Sequence, residues 1–590
     1  MKSLSRALLS FLALLLVYTA AAAQVGDKEK AKKEAERKQE LKRKSYVLVD
    51  EIATGALSLK LPENRAFVLT ESADLLWDHD EERARNLFRD ANNVLALITP
   101  PATSDQEKQH LSAFLAGFGS RRDLILKVAR RDPELALDLL RSFQQPPPEL
   151  LGSNYLPNLE QEIAAEAAAR DPKRAIQIAR ESLGKGLTFS VFNLLMRLHD
   201  LDTELSSRFA GELIDKLQTR NIATDIVASR LATELLISSR TPTESPEDKT
   251  TYRGEASPLK LSREQRRQLV EMIANSALGL SANKNNNLLY SITELMPEIE
   301  EFAPERSALL QKKVAVFNET LTKEQKGWQL HNSLVRNGTP EELLAASQDI
   351  DSEQRRWTQQ QAIVLAVMRK RADALREYVN AEIKDDSVRK SLIDTLDTEQ
   401  INSAINKGNA DELRKLLPVV RLKEERARAM AEMALLLEKK GEHDEALKLL
   451  DEAQTLIKSD FSSDTQTNAL LALVCAYALV EPARAFAIME GAIDRANDRI
   501  SKLILLDKVV RTGTVKKGEV ILQNSGGISM EFVMLKYGKS VSILAKTDFD
   551  RTKGLVDRLG RNELRMMARL MLAHSLLRED KLMRMTGDAR

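Results

Sequence analysis

The residues best suited to acid–base or metal chemistry are six histidines: His79, His110, His199, His331, His443 and His574. They stand singly. No His-Glu-x-x-His pair occurs, and a lone cysteine, Cys475, excludes a multi-thiolate zinc site and any intrachain disulfide. The acidic run Asp78-His79-Asp80-Glu81-Glu82 lacks the central glycine that a calcium loop needs for its sharp turn, so helix capping explains it better. Gly538-Lys539-Ser540 copies the tail of a phosphate-binding loop, but Val533 stands where that loop needs its leading glycine. No Gly-x-Ser-x-Gly nucleophile elbow is present. Aromatic residues are 4% of the chain, with Trp77, Trp328 and Trp357 far apart, a thin stock for stacking sugar rings. The sequence therefore assigns no catalytic residue, no cofactor and no metal ligand.

Around these residues runs a helical pattern, clearest from Ala427 to Ile457. Ala427, Met430, Ala431, Ala434 and Leu437 recur at three- and four-residue steps, as one helix face requires. Lys439-Lys440-Gly441 then places cations at the negative helix end and a glycine where a left-handed C-cap is needed. A second helix buries Ala446, Leu449, Leu450, Ala453 and Ile457. Ala434 and Ala446 are small where the two helices approach, allowing axes about 8–10 Å apart. His79 and His443 fall in the turns before such helices.

This unit resembles the tetratricopeptide family, whose pattern of small and bulky residues is met by Ala434, Leu437, Gly441, Ala446, Leu450 and Ala453. It departs from that pattern where the family has an early Trp (Met430), a Tyr (Leu437) and a closing Pro (Lys458). The match is clearest over 427–460 and degenerate elsewhere. The resemblance implies an all-α fold, a right-handed array of αα-hairpins stacked as a superhelix or solenoid. It also implies that the first helices of successive hairpins line the concave side.

A countable signature carries the pattern along the chain. A capping or turn residue is followed four positions later by a small or apolar residue, and further apolar residues come three, four and often seven positions after that. Asp80 leads to Ala84, Leu87, Phe88 and Ala91; Asp132-Pro133 to Ala136, Leu139, Leu140 and Phe143; Asp171-Pro172 to Ala175, Ile178 and Ala179. Asp202 leads to Ser206, Phe209, Ala210 and Leu213, Thr339-Pro340 to Leu343, Ala346 and Ile350, and Asn409 to Leu413, Leu416, Leu417 and Val420. Glu481-Pro482 and Asp548 repeat it with Ala485, Ile488, Met489 and Ala492, and with Thr552, Leu555, Val556 and Leu559. The polar residue caps a new helix, proline fits its first turn, and the apolar stripe turns inward. Small positions lie 39 apart from Ala136 to Ala175 and 33 apart from Leu413 to Ala446, room for two helices. One hairpin cannot bury its own face, so copies must stack.

Other stretches set boundaries. Residues 1–23 have the charged start, apolar centre (Ala7 to Val17) and small-residue end of a secretory signal peptide, too short for the ~20 apolar residues of a membrane span. The charged segment 24–45 contains, over Asp27 to Lys44, nine Lys/Arg against five Asp/Glu. It is either a basic arm meeting an anionic surface or a solvated helix. Without residues 1–23 the chain loses two of 88 basic and none of 87 acidic residues, which gives nucleic-acid binding no support. Cys475, in LLALVCAYAL, reads as a buried inert thiol. Gln144 to Pro157 is an irregular linker. The expected domains are N-terminal helical repeats over 46–240, a mobile polar loop over 241–258, a helical connector over 259–337 and tetratricopeptide-like repeats over 338–590. A Gly-rich insertion near 512–538 reads as a loop before a helix at 528–545, with a short β-hairpin as the other option.

The leading functional expectation is an exported, non-enzymatic repeat scaffold, periplasmic or secreted, that binds a protein or extended peptide. No nucleic acid and, after signal cleavage, no transmembrane segment is expected. Candidate contact positions are the polar residues between the apolar ones in Arg421 to Lys440 and Gln466 to Leu479. The rival is a cell-envelope enzyme or glycan-processing accessory with an α-superhelical fold. Both rest on fold-level analogy.

Overall fold

A computed structural model describes residues 32–97, 119–142, 154–240, 257–281, 287–350, 352–457, 463–510, 515–522 and 530–578. The signal-peptide segment, His110, Phe143, most of the 144–157 linker and all but two residues of the 241–258 loop lie outside them. The structure is 82% helical, and the strands among the described residues are two of two residues each. The protein is all-α. Helices pack with their neighbours in sequence, compatible with a helical-repeat fold. The chain divides into two compact units, Met1–Ile98 with Met430–Arg590, and Thr99–Ala429.

The first unit opens with α1 (32–55), α2 (Pro62–Leu76) and α3 (Glu81–Ala96). Residues 32–40 of α1 are exposed, although Arg37 donates to the Lys546 carbonyl, and Leu48, Val49 and Ile52 bury its later turns.

The second unit contains α4 (119–129), α5 (Pro133–Arg141), α6 (Tyr155–Ala167), α7 (Pro172–Leu183), α8 (Ser190–Leu201), α9 (Thr203–Gln218) and α10 (Ile226–Ser238). The expected connector contains α11 (Arg263–Gly279), α12 (Asn287–Phe302), α13 (Pro304–Thr320) and α14 (Lys323–Asn337). After them come α15 (Pro340–Ala346), α16 (Ser352–Met368), α17 (Ala372–Glu382), α18 (Asp386–Asn406) and α19 (Ala410–Leu416). From α5 to α13, and again from α14 to α19, each helix packs on the next one or two in the chain.

The signature residues do what their chemistry predicts. Asp80, Asp132, Asp171, Asp202, Asn409 and Asp548 each accept a first-turn N–H, and Thr339 closes a capping box with Glu342. Ala136, Ala175, Ser206, Phe209 and Leu413 are buried. Leu87, Ala346, Leu417 and Leu559 are only half-buried, because the stripe widens past the contact. Ion pairs tie successive hairpins at one-repeat spacing: Arg122–Glu162 (2.8 Å), Arg180–Glu212 (2.6 Å), Arg130–Glu166 (2.6 Å) and Arg197–Glu166 (2.7 Å). Burial pushes the Glu166 carboxyl up, but hydrogen bonds from Arg197 and Arg130 outweigh it and hold the group below the ordinary 4.5.

A second junction type reverses the chain after a helix through a left-handed residue: Lys370 (φ 55°), Gly408 (φ 61°) and Gly441 (φ 83°). In each, the next amide reaches five residues back: Arg371 to Ala366 (2.7 Å), Asn409 to Ala404 (3.0 Å) and Glu442 to Leu437 (3.0 Å), the Schellman arrangement. A Cβ at 408 or 441 would meet nothing within 4 Å, so φ alone reserves these positions for glycine. Lys370 occupies the same conformation with a Cβ. Lys370→Gly is therefore expected to raise stability by about 0.5–1 kcal/mol, the left-handed strain relieved less the extra freedom of unfolded glycine. Urea unfolding at neutral pH checks it, and a lower midpoint would contradict it.

The first unit resumes at Met430, within α20 (Lys423–Lys439), and continues with α21 (His443–Leu456), α22 (Asp464–Val480) and α23 (Pro482–Val510). Ala434 and Ala446 are completely buried, as the hairpin pattern predicts. Of the two readings for 512–538, the described residues 515–522 show the short hairpin. Strands β1 (Val515–Lys516) and β2 (Glu519–Val520) pair antiparallel with Val515 opposite Val520. Lys517 (φ 49°) and Gly518 (φ 77°) both take positive φ, which a two-residue turn matching the strand twist requires. The lysine in the first turn position hides the turn from the usual Asn-Gly pattern. Residues 523–529 lie outside the described residues, and α24 (Met530–Thr547), α25 (Phe549–Asp557) and α26 (Asn562–Leu577) complete the unit. Helix α2 packs on both α3 and α26.

Candidate functional site

The two segments expected to offer polar contact positions differ: 421–440 keeps Arg421, Lys423, Lys439 and Lys440 exposed, whereas 466–479 is nearly all buried. In α20, Glu425, Ala427 and Ala429 to Ala431 are buried, as are Met433 to Leu435 and Leu437. Several of its charged residues are engaged close by: Arg428 with Glu425 (2.6 Å), Glu432 with Lys539 (3.2 Å) and Glu438 with His443 (3.1 Å); Lys423 and Lys439 are exposed. Helix α22 is buried at Gln466, Thr467 and every residue from Ala469 to Ala478, leaving Asn468 and Leu479 exposed. The reason is legible in LLALVCAYAL, which is apolar on all sides rather than along one stripe. Cys475 is buried as expected, its Sγ 3.2 Å from the Ser540 hydroxyl. Gly538-Lys539-Ser540 lies inside α24, where its backbone amides belong to the helix, and the Ser540 hydroxyl also donates to the Leu471 carbonyl.

The histidines remain separate. His79 stacks on Tyr46 with ring centres 4.0 Å apart. His574 Nε2 lies 3.0 Å from Glu71 Oε2, a nearly buried pair between α26 and α2. His199 Nε2 lies 3.0 Å from both the carbonyl and the hydroxyl oxygen of Ser257, and its Nδ1 lies 3.5 Å from the Ser206 hydroxyl. The Ser257 contact is not a nucleophile on its base, and Ser206 is completely buried. A carbonyl can only accept, so Nε2 carries the proton and Nδ1 accepts from Ser206, leaving no lone pair aimed at Ser257. The contact pins the backbone at 257 against α8. Among the described residues, no group of three or more His, Cys, Asp or Glu is placed to hold a metal ion. No helix among them is long and apolar enough to cross a membrane.

His331 is completely buried, with Nδ1 3.1 Å from the Thr358 hydroxyl and its ring centre 4.8 Å from that of Trp357. Burial holds its imidazole below the ordinary 6.5. A folded state that resists the proton binds fewer protons than the unfolded chain. Stability from this group is thus fully present above 6.5 and is lost as pH falls from there through the depressed folded value. Compared with His331→Asn, the wild-type protein is expected to lose more unfolding free energy between neutral pH and pH about 5. Parallel urea titrations check it; equal losses would sink it.

What the capping signature does not reveal is a set of exposed apolar side chains in the second unit. Leu309 (57% exposed) and Val316 (53%) stand seven residues apart on one face of α13. Leu330 on α14 is 50% exposed, and Trp357 on α16 is 46% exposed beside His331, the residue after Leu330. The signature marks the inward stripe and is silent on apolar residues that lie off it. No family model matches the chain, and no curated protein matches it.

Proposed function

We propose that this protein is an exported, non-enzymatic scaffold whose hairpins stack as a tetratricopeptide-like, right-handed superhelix and bind a protein or extended peptide in the cell envelope. The observation that carries the reading is the exposure of Leu309, Val316, Leu330 and Trp357, large apolar groups on three helices of the second unit. Tryptophan in particular concentrates binding energy when a partner covers it. The histidine and serine groups that chemistry would use are instead spent on internal contacts. Contact with an anionic surface through 27–44 is a separate, weaker element, consistent with the exposed turns of α1.

The test is site-specific photo-crosslinking in the envelope fraction with the reactive group at 309, 330 or 357, and at Asp494 as a control. The expected result is one common partner from the first three positions and none from the control. Trp357→Ala with Leu330→Ser should weaken capture more than either change alone, and deletion of 27–44 should leave it in place. Equal labelling at all four positions, or a hydrolytic activity removed by one carboxylate substitution, overturns the scaffold reading.

A further inference from the structure

The first unit joins the two ends of the chain through one polar centre. The N-cap of helix α2 is Leu61, whose side chain cannot cap it. An acceptor for the N-cap amide itself comes from position 519. The Glu519 carboxylate, 5% exposed, accepts from the backbone N–H groups of Lys60 (2.7 Å) and Leu61 (3.0 Å) and from Asn64 Nδ2 (3.3 Å). It thus plays, from another segment, the part that the glutamate of a capping box plays from within its own helix. A carboxylate at this end also suits the positive pole of the helix.

Asn64, itself completely buried, reciprocates. Its Nδ2 donates to the Val520 carbonyl (2.8 Å), and its Oδ1 accepts from the Leu522 N–H (2.8 Å). On the other side, Glu563 in the first turn of α26 accepts from the Val520 N–H (3.1 Å) and from Arg561 Nε (3.1 Å), and Arg561 also donates to the Gly518 carbonyl. Lys516 pairs with Glu63 at 2.8 Å. A hairpin with four strand residues is therefore bonded to the starts of two helices that lie far apart in sequence.

We infer that the segment Val515–Leu522 is a clasp: it fastens the start of α2 to the start of α26, and it opens as a unit while both helices stay folded. The composition of the joint supports this. It consists of charge-assisted and backbone hydrogen bonds around Glu519, Asn64 and Glu563, with Leu522 as its buried apolar side chain. Helices α2 and α26, by contrast, are held along their lengths by buried Phe67, Leu69, Ala73, Leu570 and Ala573. Segments with few buried apolar contacts open at lower free energy than the elements they touch. When the clasp opens, water replaces Glu519 at the amides of 60 and 61, so the helices need not unwind.

The test is amide hydrogen exchange of the full chain, wild type against Glu519→Ala and, separately, Asn64→Ala. Exchange at 60–64 and 519–522 is expected to quicken about tenfold in both variants, while the amides at 68–74 and 568–574 stay within about twofold of wild type. Equal quickening along all of α2 and α26 would make the hairpin part of the core and overturn the proposal. No quickening at 60–64 would overturn it from the other side. Should a variant fail to fold, the unaltered protein decides. The clasp requires the amides of 519–522 to exchange faster than those of 68–74, and exchange of both in the slowest class excludes it.

Discussion

Replacing Arg376 by methionine is expected to cost about 3–5 kcal/mol, the penalty of leaving a buried charge without its partner. Its guanidinium on α17 donates to Asp397 of α18 and, at 2.9 Å, to Gln400 Oε1. Asp397 is 2% exposed, so water cannot take over. Asp394 stands one helical turn away, and burial already pushes its carboxyl above the ordinary 3.8. Losing the guanidinium therefore leaves the Asp397 carboxylate buried without its cation, with the Asp394 carboxyl close enough to disfavour its charge. The double variant Arg376→Met with Asp397→Leu should recover to within about 1 kcal/mol of wild type, because the pair's net worth is small even though each half is needed by the other. Urea unfolding of the three proteins decides the matter. A single variant within about 1 kcal/mol of wild type would mean that Asp397 is solvated and the pair is peripheral.

Phe209→Ala should be comparably damaging, at about 3–5 kcal/mol, for a different reason: a ring-sized cavity in a packed repeat. Phe209 is 1% exposed, seven residues after the Asp202 cap of α9. Phe209→Leu keeps most of the volume and should lose well under half as much. If the alanine variant melted with the wild type, the burial of the repeat signature would be wrong at its clearest position.

That position is legible in the amino-acid sequence because two independent local rules point to it. A capping carboxylate fixes where a helix starts, and the 3.6-residue period then fixes which residues turn inward. The same reasoning locates Ala136, Ala175, Ser206 and Leu413, and the Gly441 junction follows from the chirality of the backbone. It fails where a residue departs from its type. Lys370 makes the same left-handed turn as Gly408 and Gly441, and Lys517 makes half of a hairpin turn, yet neither lysine advertises positive φ. It also fails where the stripe has no polar side, since α22 is surrounded and the spacing of its few polar residues therefore implies a face that is not there. Least legible of all is the joint at Glu519, Asn64 and Glu563. A hydrogen bond between residues 64 and 520 leaves no local periodicity in either segment. The exposed Leu330 and Trp357 are hidden for the opposite reason, because burial rules say nothing about apolar residues that stay outside.

The placement of α2 against α26 has a consequence for the making of the protein. Leu76 ends the first helix and Asn562 starts the second, so the ribosome must add nearly five hundred residues between them. At about 5–20 residues per second, roughly half a minute to a minute and a half passes before α2 can meet its partner. The Thr99–Ala429 unit is built from neighbour-to-neighbour helix contacts, so its loops close cheaply and none of its packing has to wait for the C-terminal helices. The α26-facing side of α2 meanwhile waits, exposed, and with α1, whose Lys44 pairs with Asp550, is a stretch on which a holding chaperone has a long time to act.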